Sequence, residues 1–235
     1  MLKLTPLAGF VASRRPADFE LTIGASTADV DLHGHLAARG YRNEPEVAVT
    51  VAAGVQVYST TTAKAGLTVD LADFPRGCRI VLTVLGEICG RGGASGAAGG
   101  KALEVAAGPG NNGGAALAID NRGEINGGGG GGRRGGGDSC SNGSHDGKSY
   151  SCSGSTTYCA GGAGGSGYGP NAATRGASGQ SGSCGGCGGC RGGSGRNGGG
   201  KGQAGGGNGG AAGAAVTGNA NIEWTNEGVR NGPVR

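Results

Sequence analysis

A mainly β fold with little helix is what this sequence predicts: a small β-rich N-terminal domain, then a glycine-rich polyproline II helix bundle closed by a C-terminal strand. Three observations lead there. Apolar residues crowd into the first 125 positions and alternate with period two, as in a pleated strand with one face inward. Glycine supplies 60 of the 235 residues, against about 7% in ordinary proteins, and runs unbroken from 127 to 132. A strand–turn element also recurs on both sides of that run.

The elements follow in order. Residues 1–26 read as extended and irregular. Thr27 predicts an N-cap for a short helix over 28–39, with Gly40 at its C-terminal end and Gly34 as its weak point. Strands are predicted at 47–51, 55–59, 67–71 and 80–84, with turn signals at 53–54 and 75–77. The chain divides into residues 1–45 with the short helix, a β-rich domain at 46–90, and a glycine-rich domain at 91–235. That last part carries strands near 117–126 and 221–229.

The recurring element has three copies. Ile80, Leu82 and Val84 lead to Gly86, Glu87, Ile88 and Gly90. Leu117, Ile119 and Asn121 lead to Gly123, Glu124, Ile125 and Gly127. Ile222, Trp224 and Asn226 lead to Gly228, Val229 and Gly232. Each alternates, turns at its first glycine and meets a second glycine four residues later. Equal spacing predicts similar strands packed near one another, with the C-terminus returning to the β layer.

Within the glycine block, Gly186, Gly189, Gly192, Gly195 and Gly198 fall at every third residue. Polyproline II geometry has three residues per turn, so these five line one bare face that another backbone can approach. Collagen is excluded, because only 7 prolines are present and the triplet repeat is not sustained. A flexible linker has no reason to end repeatedly in strands or to carry six cysteines.

Charge and motifs remove several function classes. The net charge of +4 is scattered, and the pairs Arg14-Arg15 and Arg133-Arg134 are short; no nucleic-acid partner is expected. Arg91 and Arg191, each followed by two glycines, stand without interleaved aromatics. No stretch of 18 apolar residues exists, so no membrane insertion is expected. Residues 4–13 are mildly apolar but broken by Pro6 and Gly9, which argues against a secretory signal. No nucleophile–base pair, paired-carboxylate motif or phosphate loop stands out, so neither an enzyme nor a cofactor is expected. His33 and His35 with Asp29 and Asp31 alternate along the predicted helix, which points them apart as a solvated face.

Eight cysteines are present. Cys78 and Cys89 lie in the β-rich part; Cys140, Cys152, Cys159, Cys184, Cys187 and Cys190 lie in the glycine-rich part. The spacing of Cys184, Cys187 and Cys190 invites a zinc reading. On a straight polyproline II rod, three residues advance about 9.3 Å. Thiolates sharing a zinc must approach to about 4 Å, and bridged Cα atoms to about 4.4–6.8 Å. No metal site is therefore expected; the three sulfurs form a ladder whose partners are Cys140, Cys152 and Cys159. Disulfide staples suit a region with little apolar core, with reduced thiols or metal as the alternatives.

Two polar stretches interrupt the glycine and read as loops: 138–159 and 170–183. Their Tyr, Ser, Asn and Gly mixture is that of adaptable binding surfaces, and also of ordinary solvated turns. His145, Lys148, Tyr150, Tyr158, Tyr168 and Arg175 are the residues singled out for binding.

The order of these parts resembles the glycine-rich proteins at the distal tips of bacteriophage tails. Residues 80–93 and 117–137 carry that family's strand, turn and glycine run. The Gly167-Tyr168-Gly169 element and the closing strand at 221–234 resemble it as well. The glycine block is similar to the adhesins on long tail fibres of T-even-type phages, which fold as a sandwich of polyproline II helices with receptor-touching loops at one end. The resemblance implies a structural virion protein at the distal tip of a phage tail, a host-receptor adhesin made in the host cytoplasm. Its partners would be other phage tail proteins and a bacterial cell-surface receptor, protein or polysaccharide. Residues 1–45 would attach it to the tail, and tail symmetry would allow a homotrimer. Disulfides would then form only after release from a reducing cytosol. Val84 stands where the family's first turn has Asn, and the cysteine cluster lies outside the family pattern. A purely structural tail-tip or baseplate component is the alternative in the same setting. A glycine-rich ice-binding protein is the alternative outside it, against which the β-rich N-terminal region and irregular loops speak.

Overall fold

The structure is a computed structural model. It describes residues 17–107, 114–136, 138–140, 143–145, 148–150, 157–159, 163, 167–171, 181–184, 187–191 and 193–235, with backbone only for the strands between 138 and 191.

Short strands wind in coils, and each coil lays one strand on each of three parallel sheets. The first sheet stacks Phe19–Ile23, Glu46–Val51, Arg79–Val84, Ala116–Asn121 and Ile222–Asn226 in that order. The second stacks Thr27–Ala28, Gln56–Tyr58, Glu87–Cys89, Glu124–Asn126 and Val229–Asn231. The third stacks Val30–Asp31, Leu67–Asp70, Leu103–Ala106 and Val216–Thr217, with Val234 bridging to Val216.

Period-two alternation produces this stack. Glu46–Val51 and Arg79–Val84 bury every second residue. Val49, Leu82 and Ile119 from the first sheet, Val57, Ile88 and Ile125 from the second, and Leu67, Leu103 and Val216 from the third meet in one core, each at most 1% exposed. Burying such a side chain stabilises by about 1.5–3 kcal/mol. The three copies of the strand–turn element lie in register: Ile80, Leu117 and Ile222 stack, as do Leu82, Ile119 and Trp224. Their first glycines mark the corner where one coil's turn sits on the next. A Cβ on Gly123 would be driven into the Gly86 carbonyl, and one on Gly86 into those of Ala52 and Val55.

The N-terminal expectations need correction. Phe19–Ile23 is a strand rather than irregular chain, pairing Phe19 with Val47 through Ile23 with Val51. The helix is shorter than 28–39 and covers only Leu32–Ala37. Thr27, Ala28, Val30 and Asp31 are taken up by sheet pairing, and Asp29 turns the corner with φ 49°. Asp31 is the true cap, its carboxylate accepting from the Gly34 amide at 2.9 Å. His33 does not face solvent alone: its ring meets Tyr41 and Phe74 edge-on at 5.9 and 5.2 Å.

The coils leave the stack at the corner between the second and third sheets. The third coil departs after Cys89 and rejoins at Leu103; the fourth departs after Asn126 and rejoins only at Val216. The glycine block is thus an excursion from one corner of the coil stack. At its centre, residues 127–132 are buried and bonded to a ring of neighbours. The Gly128 amide donates to Gly100, Gly129 to Tyr168, Gly130 to Gln203 and Gly131 to Ala97. Their carbonyls accept from Gly213, Gly93, Gly199 and Gly210 respectively. All eight bonds span 2.7–2.9 Å. Residues three apart share a neighbour: 128 and 131 donate to 100 and 97, and accept from 213 and 210.

Candidate functional site

The glycine core fixes where the polar segments leave the body. Its outgoing end, 133–136, lies beside the incoming 193–196: the Gly193 amide donates to Gly136 and that of Arg196 to Arg133, both at 2.8 Å. A Cβ on Gly135 would collide with the Gly193 carbonyl, so these two segments touch backbone to backbone. Among the described residues between 138 and 191, 167–169 lie in the core. There the Gly167 amide donates to Gly93 and the Tyr168 amide to Gly199.

Among the described residues between 138 and 191 the backbone forms three antiparallel pairs. Asp138–Cys140 pairs with Thr157–Cys159, Gly143–His145 with Lys148–Tyr150, and Ser181–Cys184 with Cys187–Arg191. His145 stands opposite Lys148, Tyr150 opposite Gly143, and Tyr158 opposite Ser139. Strands 138–140, 157–159, 181–184 and 187–191 lie against one another. Tyr158, Cys140, Cys159, Cys184, Cys187 and Cys190 therefore share one region of backbone. Arg175 and Cys152 lie outside the described residues.

The straight rod expected through Cys184, Cys187 and Cys190 is not what forms. The chain reverses between Cys184 and Cys187, which face each other across a hairpin, and Cys190 pairs with Gly182. Facing residues of an antiparallel pair have Cα atoms about 4.5–5.5 Å apart, within the reach of a disulfide. The distance argument against a Cys184–Cys187 bridge disappears.

Tyr168 sits at the junction of the coil stack and the glycine core. Its hydroxyl donates to Glu87 at 3.0 Å, and Lys201 lies 5.4 Å from its ring centre. Glu87 and Glu124 are register partners in the second sheet, so two like charges are stacked. Lys201 relieves this by pairing with Glu124 and lying 3.9 Å from Glu87. Asn126 donates to both carboxylates, at 2.6 and 2.8 Å, and accepts from Asn231 at 2.7 Å. The hydrogen bond from Lys201, then that from Asn126, holds the Glu124 carboxyl below its ordinary range. The bond to Glu124 raises Lys201. Burial, then the Glu87 charge, pushes Tyr168 up. Under this cluster the buried Cys89 thiol is pushed up to about 12 by burial and by Glu87, which keeps it protonated and inert at neutral pH.

A second cluster escapes the sequence reading. Arg133 and Arg134 on the outgoing segment and Arg196 on the incoming one line an open cleft of about 530 Å³, together with Ser194, Gly207 and Asn208. The adjacent pair Arg133-Arg134 was its only signal in the sequence; Arg196 joins them through chain reversal. Among the described residues no group of His, Cys, Asp or Glu has the arrangement of a metal site. No helix among them is long and apolar enough to cross a membrane.

A stack of parallel β coils with a backbone-bonded glycine block inserted into it is the class of scaffold that this fold defines. The chain belongs to the family described as phage tail fibre adhesin Gp38, whose model matches residues 18–235. Among solved structures, it is similar to the gp37–gp38 adhesin tip complex of the bacteriophage S16 long tail fibre. The two share 24% identity, with 92% of this chain and 82% of that chain covered and a TM-score of 0.56; at this identity the likeness is one of fold. Comparison with curated protein sequences finds no significant match. Family membership places the chain in the virion, at the distal end of a tail fibre, as an adhesin.

Proposed function

We propose that this adhesin grips a bacterial cell-surface receptor through the segments 138–159 and 170–183, held out by a bundle of polyproline II rods. One observation carries the reading: Gly128 and Gly131, three apart, donate to one neighbouring segment at 100 and 97 and accept from another at 213 and 210. Polyproline II has three residues per turn, so each rod presents the same neighbour with every third residue. A scaffold ordered in this way spends little entropy on binding, which leaves more of the contact energy as affinity. Residues 1–45 attach the chain to the fibre, in keeping with the S16 structure, where an adhesin of this fold is complexed with gp37. The six distal cysteines brace the projecting hairpins as disulfides formed after release; thiol counting on intact particles that found all six free would remove the brace.

Replacement of 138–159 and 170–183 by short Gly-Ser connections tests the assignment. Adsorption to host cells is expected to be lost while the melting of the coil stack is retained. Adsorption that survives in a folded variant would move receptor binding away from these segments.

A further inference from the structure

The strands Ser181–Cys184 and Cys187–Arg191 have little in their composition to hold them together. Apart from Cys184, Cys187 and Cys190 they contain only glycine, serine and Arg191. A two-stranded pair without an apolar face is marginal in water, and glycine-rich strands specify their register weakly and slip. Yet the register is defined: Ser181 opposes Arg191, Gly182 opposes Cys190 and Cys184 opposes Cys187, with one shift between Gly182 and Cys184. Among the described residues, Cys184 and Cys187 are the one pair of cysteines that the register sets opposite each other. Cys140 opposes Thr157, and Cys159 opposes Asp138.

We propose that Cys184 and Cys187 are joined by a disulfide that closes this hairpin and fixes its register. The pairing rests on the brace proposed above and names one bond of it, within the cysteine triplet rather than between the triplet and Cys140, Cys152 or Cys159. Facing Cα atoms about 4.5–5.5 Å apart meet the requirement of about 4.4–6.8 Å. The other pairs inside the triplet fit less well. Cys184 and Cys190 are diagonal partners, about 7–8 Å apart. Cys187 and Cys190 oppose Cys184 and Gly182, which lie two residues apart on one strand, or about 6.4–6.8 Å, at the far limit for a bridge. In forming the bond two thiols give up two protons and two electrons. A small external disulfide such as oxidised glutathione takes both and leaves as two thiols: one cysteine attacks it to give a mixed disulfide, and the facing cysteine displaces the carrier. So short a loop adds little to global stability. The bond acts locally, on the strand that closes the receptor segment 170–183.

A disulfide map of purified phage particles tests the pairing. The particles are denatured in N-ethylmaleimide without reductant and digested with trypsin. Cleavage after Arg175 and Arg191 releases residues 176–191, which hold all three cysteines of the triplet. This peptide is expected to be two hydrogens lighter than its free-thiol form, with Cys184 and Cys187 unlabelled and no fragments from breakage between them. Reduction should then make both available to label. Cys89, a buried free thiol, should be labelled in the same digest before reduction. Label on Cys184 or Cys187 before reduction would overturn the pairing, as would a bond from either to Cys140, Cys152, Cys159 or Cys190. A bond to Cys140, Cys152 or Cys159 leaves the brace standing without this pairing, whereas label on all six distal cysteines removes both.

Discussion

The coil stack and the glycine block bury backbone in opposite ways. In the stack, strands are held apart by side chains, and Val49, Leu82 and Ile119 fill the space between three sheets. Each strand's hydrogen bonds run to the two strands beside it. In the block the space between chains is removed, and each of Gly128, Gly129, Gly130 and Gly131 donates to one stretch of chain and accepts from another. Order in the first comes from apolar volume; in the second it comes from saturated backbone bonding with no apolar area to bury. A core of the first kind tolerates small changes of shape, while a core of the second kind tolerates no added atom.

The largest effect should come from adding one methyl to the glycine core. A Cβ on Gly131 would be driven into the Ala94 carbonyl, and its neighbours are backbone that cannot swing aside. Separating the segments strands several buried N–H and C=O groups at about 1–3 kcal/mol each. Gly131→Ala is therefore expected to lose about 4 kcal/mol or more, read as loss of soluble protein or as a separate early melting of the block. Wild-type melting in this variant would mean that the segments are not in backbone contact.

Removing volume from the coil stack should cost less and act differently. Ile119 is fully buried between Leu82 and the partly buried Trp224. Ile119→Ala is expected to destabilise by about 3 kcal/mol through lost contacts and a residual cavity, with Ile119→Val costing about 1 kcal/mol. Chemical denaturation of both variants checks the grading. A grading by size is the mark of a side-chain core, and equal losses for Val and Ala would contradict it.

Side-chain alternation was legible in sequence; the destination of the excursions was not. Leu117, Ile119 and Ile125 announce their strands and their kinship with residues 80–90, because a period-two pattern and a turn glycine are local signals. The first coil is equally alternating at Phe19, Leu21 and Ile23, but a capping pattern at Thr27 competes with it and draws the reading toward a longer helix. Leu103–Ala106 and Val216–Thr217 pair with each other across more than a hundred residues, and nothing near either one marks the third sheet. Gly127's place after a strand points to an ordered glycine region, yet no local pattern gives the ring of neighbours around it. Arg196 meets Arg133 only because the chain turns back between them, so half of the cationic cleft is invisible along the sequence.

The ionic contact at the junction of the two cores should contribute little, and its pH dependence can be signed. Glu124 titrates below its ordinary value of 4.5, so its contribution is fully present above that pH and is lost as pH falls through the lowered value. Lys201 titrates above its ordinary 10.5, so its contribution is present below that pH and is lost as pH rises through the raised value. Both side chains are 36–40% exposed, and solvent screening keeps the pair to about 1 kcal/mol or less. Lys201→Met should lower the melting temperature slightly at pH 7, and the gap to wild type should close as pH falls below 4.5. A gap that widens toward acid would show that Lys201 acts through something other than Glu124.

The smallest effect belongs to a glycine a few residues along the same segment, and it separates residue type from residue position. Gly136 accepts from the Gly193 amide at 2.8 Å, as a member of the bonded network. Yet a Cβ placed on it meets nothing within 4 Å, and its backbone is outside the left-handed region. Its carbonyl faces the partner segment while its side-chain direction points outward. Gly136→Ala should therefore keep the bond and shift stability by no more than about 0.5 kcal/mol, with restricted unfolded-chain freedom tending to favour the folded state. Set beside Gly131→Ala in the same thermal melt, this variant isolates the cause. If both alanines are equally harmful, glycine is required for its flexibility throughout; if only the one at 131 is, glycine is required where another backbone occupies the place of its side chain.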